Sequence, residues 1–317
     1  MKHFASLSAL LALPLLLAAH ATQAAPFAYV PNERSGSVTV IDCETDAVVD
    51  TIVTGGKPRG VAIDPQGKAL FVSEQGSNAL LVIDLATRKI SERIALQESP
   101  EGVGLSPNGD WIVAASEVAN SVNFIDGATR TPAYSVVTRG KNPEHAVFSP
   151  DGKWLFVSAE DADTLDIVDV AARKQIDAVK LGMRPRGIGF LPDGSKAYVA
   201  AELAGKVYAI DVATHAVRAV IPAGAFPNGV AVHPDGKTVY VSNGKDGSVS
   251  VIDTAQDRIV ATIPVGKRPW NMALTPDGGK LYVANGRSNA VTVIDTASRT
   301  PLRDIAVGEL PWGVAIK

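Results

Sequence analysis

The chain has 317 residues, 46% of them apolar, with 30 Lys and Arg against 33 Asp and Glu, a net charge of −3. That mild acidity excludes the extended basic surface that non-specific nucleic-acid or anionic-membrane binding requires. A single cysteine, Cys43, excludes a disulfide framework and a Cys-x-x-Cys-His haem attachment.

The first two dozen residues read as a secretory signal peptide. Lys2 supplies a positive start, and residues 7–19 form a Leu/Ala-rich run too short to span a bilayer. Thr22-Gln23-Ala24 offers small residues at the cleavage positions, and removal of residues 1–24 leaves 29 − 33 = −4. No cysteine sits there to take a lipid, and no later run is long enough to cross a membrane. The expected location is periplasmic or secreted, without a membrane anchor.

The rest is one repeat. Residues 185–211 show it clearly: Pro-x-Gly, a short apolar run, Pro-Asp-Gly, a second run ending Tyr-Val, a polar loop, and a third run closed by Asp. The closing aspartate recurs at Asp42, Asp84, Asp126, Asp169, Asp211, Asp253 and Asp295, spaced 42, 42, 43, 42, 42 and 42. The proline of Pro-x-Gly recurs at Pro58, Pro100, Pro143, Pro185, Pro227, Pro269 and Pro311. Four short strands, a to d, in about 40–45 residues make a propeller blade.

In chain order, Phe27-Ala-Tyr-Val is strand b, Ser37-Val-Thr-Val-Ile strand c, and residues 47–53 strand d. Six full units follow, their strands rich in Val, Ile, Tyr and Thr and bounded by Gly, Pro, Asn and Asp. Many runs are continuously apolar, as in a blade buried between two neighbours. Pro-Asp-Gly turns join a to b. The closing Asp starts an Asp-x-Ala-Thr turn, where its carboxylate accepts a backbone N–H two residues on. The one insertion lies between Asp126 and Pro143, in a turn or in the loop leading into the next blade. The chain stops after a lone strand a, Pro311-Trp-Gly-Val-Ala-Ile-Lys. The prediction is an all-β, seven-bladed propeller over residues 25–317, with four antiparallel strands per blade. Three N-terminal strands and one C-terminal strand share the last blade, which removes a free sheet edge.

With Tyr240-Val-Ser-Asn243 and Val251-Ile-Asp-Thr254, the repeat resembles the YVTN-type β-propeller family across residues 25–317. A secreted chain of seven such repeats is similar to a subgroup found beside pyrroloquinoline-quinone-dependent alcohol oxidation. The resemblance also takes in lactonase-like propellers. It implies the fold directly and function only by association.

In a propeller the loops leading into strand a and joining b to c open on one face, around the channel. The middle residue of Pro-x-Gly runs Arg59, Glu101, Glu144, Arg186, Asn228, Trp270, Trp312, and His145 and Asn271 replace the glycine. The b–c loops add Glu33, Glu74, Glu117, Glu160, Glu202, Asn243 and Asn285. These divide into a charged arc and an arc of amides, two Trp and Phe226. Trp on neighbouring blades gives flat contact area typical of binding hot spots, or else packs blade to blade. Of five histidines, His3 and His20 leave with the leader, while His215 and His233 lie at turns of the opposite face. His145, with Glu144, Glu101 and Arg186, is the candidate for a general base or a divalent-cation ligand.

No His-rich copper cluster, Walker motif or Gly-x-Ser-x-Gly elbow is present. The leading expectation is a monomeric, non-enzymatic binding propeller. It needs no cofactor and meets a periplasmic protein or a small ligand at its loop face. The competing one is a lactonase-type hydrolase, with a metal ion or activated water at the mouth.

Overall fold

The computed structural model describes Met1 and residues 26–317, so the expected signal peptide lies outside the described residues. Seven four-stranded antiparallel sheets form a closed ring. Blades 1 to 6 begin with the inner strands Pro58–Ile63, Pro100–Leu105, Pro143–Phe148, Pro185–Phe190, Pro227–Val232 and Pro269–Leu274. Blade 7 combines Phe27–Asn32, Ser37–Asp42 and Ala47–Val53 with the C-terminal Ala315–Ile316. The chain is therefore a seven-bladed β-propeller closed as its sequence predicts. The closing strand is short: Ala28 pairs Ile316, Tyr29 pairs Ala315, and one further bridge joins Asn32 to Pro311. No helix among the described residues is long and apolar enough to cross a membrane.

Strands b and c carry the core. Ala69–Glu74 is buried throughout and Ala79–Asp84 nearly so, as befits strands covered on both faces. Strand d is the outer edge. In Lys89–Ala95 only Ile94 is buried, and the rest of the strand carries Lys, Glu and Arg outward. Charges on an exposed edge discourage strand addition by another chain.

The turn after each closing Asp does more than reverse the chain. The carboxylate of that Asp accepts the N–H three residues on in all seven copies, as from Thr87 at 2.7 Å. The bond two residues on occurs only at Asp42, Asp126 and Asp253. The fourth residue on has positive φ in every copy: Asp46, Arg88, Arg130, Arg173, His215, Asp257 and Arg299. Six of these seven side chains reach a neighbouring blade. Arg88 meets Asp50 at 3.1 Å, Arg130 meets Glu92 at 2.6 Å, and His215 meets Asp177 at 2.9 Å. Arg173 covers the Tyr134 ring at 4.7 Å. Asp257 takes Lys196 and Tyr198, and Asp46 takes Lys280 and Tyr282. The last of these ties blade 6 to the N-terminal strands and so reinforces the closure. Beside it, burial pushes the Cys43 thiol up to about 11, which leaves it protonated and inert.

The insertion resolves as one extra residue in the loop between Pro132–Val137 and Pro143–Phe148, directly ahead of the strand that carries Glu144 and His145.

Candidate functional site

The mouth is built by a bulge repeated around the ring. Register breaks after each inner-strand proline, as between Pro58 and Val61, so the two residues after it leave the ladder. Such a bulge turns side chains away from the pleat. A serine from strand b holds it: Ser73 Oγ accepts the Gly60 N–H at 2.8 Å, Ser158 that of His145 at 3.1 Å, and Ser242 that of Gly229 at 2.9 Å. A Cβ on Gly60 would lie 2.2 Å from the Glu101 carbonyl oxygen, and one on Gly229 2.5 Å from that of Trp270. Glycine is therefore required where inner strands approach closely. His145 and Asn271 stand at two positions where the ring admits a side chain.

A cavity of about 310 Å³ opens there, lined by Glu33, Arg59, Gln75, Glu117, Glu144, Arg184, Arg186, Asn228, Arg268, Trp270, Asn271 and Trp312. Glu101, Glu160 and Glu202 lie buried behind this lining. Arg186 is the hub: it contacts Glu144, approaches Glu160 at 2.6 Å, and donates from Nε to Glu202 at 3.0 Å. Arg184 donates to Glu160 at 3.0 Å, and Arg268 to Glu202 at 2.6 Å. Arg59 pairs with Glu101 and with Glu33 at 3.2 Å. Gln75 donates to Glu101 at 2.9 Å. Each guanidinium is thus held by carboxylates of its own or a nearby blade.

The carboxyls divide into two protonation classes. Burial raises Glu101 well above the usual carboxylate range, and its neighbour Glu144 adds to this against Arg59. Burial and the Glu144 charge likewise push Glu160 up to about 8. Burial also disfavours the Glu144 charge, but Arg186, helped by Arg59, outweighs it and holds Glu144 well below the usual range. Like charges this close cannot all ionise, so the site favours the charged form of Glu144 and the protonated forms of Glu160 and Glu101.

His145 is neutral, because burial and the Arg186 charge lower its pKa against the pull of Glu144. Its ring stacks on Trp312 at 5.5 Å and 18°, from blade 3 across the channel to the C-terminal segment. Both ring nitrogens are buried without a hydrogen-bond partner. Asn271 lies near enough to favour the protonated ring, but its Nδ2 donates to the Trp312 carbonyl at 3.3 Å and no contact of hydrogen-bond geometry joins it to the imidazole. Glu101 Oε2 is also unpartnered. Trp270 lies over its own blade's b–c loop, where a Cβ on Gly286 would fall 2.4 Å from the indole ring.

Carboxylate oxygens of Glu117, Glu144 and Glu160 lie within 4.8 Å of one another, the one metal-capable trio among the described residues. Arg186 already sits against two of them.

The structure therefore brings Arg59, Glu101, Glu117, Glu144, His145, Glu160, Arg186, Asn228, Trp270, Asn271 and Trp312 to one mouth. Asn243 and Asn285 are placed elsewhere. Asn243 donates to Ser248 at 3.0 Å and Ser250 at 2.9 Å, and Asn285 to Thr292 at 2.8 Å, all inside their own blades. Asn32 does the same to Ser37 and Thr39. Glu74, at the equivalent strand end, binds the loop N–H groups of Lys57, Gly76 and Ser77. These amides, and that carboxylate, shape loops rather than line the channel. Arg184, Arg268 and Gln75 do line it and were not singled out. Arg184 and Arg268 occupy the residue before the proline, the repeat position that Phe226 fills in blade 5.

The model of the family described as Lactonase, 7-bladed beta-propeller, matches residues 169–305. That of the YNCE-like beta-propeller matches residues 17–109. No curated protein matches the chain. Among solved structures, a chain of Kuenenia stuttgartiensis hydrazine synthase is similar at 23% identity and a TM-score of 0.76, covering 90% of this chain and 99% of that one. A functionally unknown protein from Desulfotomaculum acetoxidans DSM 771 is similar at 18% identity and a TM-score of 0.82, covering 92% and 98%. At these identities the likeness concerns the fold.

Proposed function

We propose that this propeller is a non-enzymatic binding protein that seats a neutral, hydrogen-bonding group of a small ligand or a protein partner in its channel mouth. The observation that carries this is the combination of self-paired charges with an orphaned histidine. Four arginines are already matched to carboxylates, so the mouth holds little free charge with which to drive a reaction or bind an ion. His145, in contrast, offers one donor and one acceptor beside the Trp312 ring. A buried polar group left unpaired costs about 1–3 kcal/mol, and a ligand that pairs it recovers that cost. The N-terminal leader fits export, and the resemblance of the repeat supports an accessory place beside a quinoprotein oxidation system. The test is native mass spectrometry of the protein isolated from its own cell envelope. The reading expects a bound small molecule or protein complex that Trp270→Ala with Trp312→Ala abolishes while the melting temperature holds. Retention of the same complex by the double variant would show that the mouth is not the seat.

A lactonase-type hydrolase is the second reading, favoured by the family match over residues 169–305 and by the opposite protonation of Glu144 and Glu160. Two carboxyls held apart in this way are the usual form of an acid–base pair. Here Glu144 takes a proton from water as its oxygen attacks the lactone carbonyl carbon. Glu160 gives its proton to the ring oxygen as the ring C–O bond breaks. Ring opening of lactones by the wild-type protein, lost in Glu160→Gln, would establish this reading and displace the first.

A further inference from the structure

A second cavity, of about 820 Å³, adjoins the mouth across blades 4 to 6 and shares Arg184 and Arg268 with it. Its lining carries five cationic side chains, Arg184, Lys245, Lys267, Arg268 and Arg287, against two acids, Glu202 and Asp246. Both acids are engaged. Glu202 holds Arg186 and Arg268, and Asp246 accepts the Ala225 N–H at 2.6 Å. Lys245, Lys267 and Arg287 are exposed, and among the described residues none has a carboxylate within ion-pair distance.

The groove is also shaped. Phe226 lies between two cations, with Lys245 at 5.5 Å and Arg268 at 5.6 Å from its ring centre. Its φ of 60° is the backbone geometry that Ser99, Asn142, Arg184, Arg268 and Leu310 share ahead of their prolines, so the repeat itself fixes where this side chain starts. The contacts spread Lys245 and Arg268 along the ring rather than leaving them to swing free. At the blade-4 end Leu203 lines the groove, and both it and its backbone partner Met183 are exposed, at 49% and 56%. A local excess of three positive charges on a protein of net −3 is an electrostatic landmark.

We propose that this groove docks an acidic, extended segment of a partner protein, with its carboxylates on Lys245, Lys267 and Arg287 and an apolar side chain against Leu203 and Met183. The three free cations sit on separate loops of blades 5 and 6 with Leu203 beyond them on blade 4, a spread that matches a polypeptide better than a compact anion. The groove borders the mouth at Arg184 and Arg268, which line both cavities. The groove stands independently of what the mouth binds.

Fluorescence anisotropy of the full exported chain with a labelled peptide of alternating Glu and Tyr tests this. Binding is expected at low ionic strength, to weaken with salt, and to fall at least about tenfold in Lys245→Glu, Lys267→Glu, Arg287→Glu combined. The neutral set Lys245→Gln, Lys267→Gln, Arg287→Gln should fall less, with melting unchanged in both. Reversal of Lys68, Lys153 and Lys237 on the opposite face should leave binding intact. The proposal is overturned by absence of binding, or by binding that the groove variants do not weaken. It is equally overturned if citrate or inorganic phosphate displaces the peptide at matching concentration, since the groove would then be a small-anion site. The mouth pair Trp270→Ala and Trp312→Ala should retain this peptide, so failure here and failure of the mouth reading are separable.

Discussion

The fourth residue after each closing aspartate and the middle residue of each Pro-x-Gly both vary along the chain. The first runs Asp, Arg, Arg, Arg, His, Asp, Arg, and the second Arg, Glu, Glu, Arg, Asn, Trp, Trp. At the first position six of seven side chains find a complementary partner on a neighbouring blade. The variation is a set of alternative solutions to one packing problem. At the mouth the charges are likewise matched, but His145 remains with both ring nitrogens unpartnered, the one residue so placed among the described residues. Variation that the molecule resolves internally is structural, and variation that leaves a polar group waiting points to something outside the chain.

Breaking the ring should have the largest effect. Deletion of residues 313–317 removes the short ladder to Phe27–Asn32 and exposes a strand edge. The expected fall in melting temperature is roughly 10 °C, read by circular dichroism. An unchanged melting temperature would show that the inter-blade contacts alone close the ring.

Next comes the hub of the mouth. Arg186→Ala leaves the buried Glu144 without its main countercharge and removes one of three arginines from Glu202, and loss of one partner from a buried ionic network costs about 3–5 kcal/mol. Urea unfolding should show it. A loss no larger than a surface pair gives would mean that the network is hydrated.

The paired carboxyls predict a pH signature. The folded pKa of Glu160 is raised, so the stability linked to its proton is complete below the unfolded value and is lost as pH rises toward about 8. Glu144 has a depressed pKa and acts in the opposite sense: its stabilisation is present above the unfolded value and is lost as pH falls through the folded one. Melting temperature should therefore decline from mildly acidic to mildly alkaline pH, and Glu160→Gln should flatten that decline. A wild-type profile that is flat over this window would contradict the shared-proton assignment.

Smaller effects separate loop-shaping amides from seam contacts. Asn243→Ala removes two hydrogen bonds to Ser248 and Ser250. A cost of about 1–3 kcal/mol is expected, with binding at the mouth unaffected. Arg130→Ala breaks a half-exposed pair with Glu92 and should cost less than about 1 kcal/mol. If the order of these two reverses in a common urea series, the contrast between buried amide and seam is wrong.

The fold was legible because it follows from period: seven copies, three strands at one end and a lone strand at the other, and turn residues at fixed offsets leave one way to close the sheet. The mouth was legible in part. Pro-x-Gly located Arg59 through Trp312 because a bulge repeats there. The b–c positions were misread because two registers were merged. Asn32, Glu74, Asn243 and Asn285 fall at one phase of the repeat, while Glu33, Glu117, Glu160 and Glu202 lie one residue later. A one-residue step in a strand changes the face on which a side chain lies. The seams were not legible, since each pairs different chemistry from adjacent blades at unequal separations, 38 residues for Arg88, Arg130 and His215 but 61 for Asp257 and 234 for Asp46. The orphaned state of His145 was beyond sequence altogether, because it depends on Trp312 crossing from the far end of the chain.

The most direct test of the account is an NMR pH titration of the His145 imidazole. The account predicts a neutral ring that gains its proton only below the ordinary histidine range, and whose nitrogen shifts move when the natural ligand is added. A ring that titrates above that range, charged and paired with Glu144, would contradict it and return the mouth to acid–base chemistry.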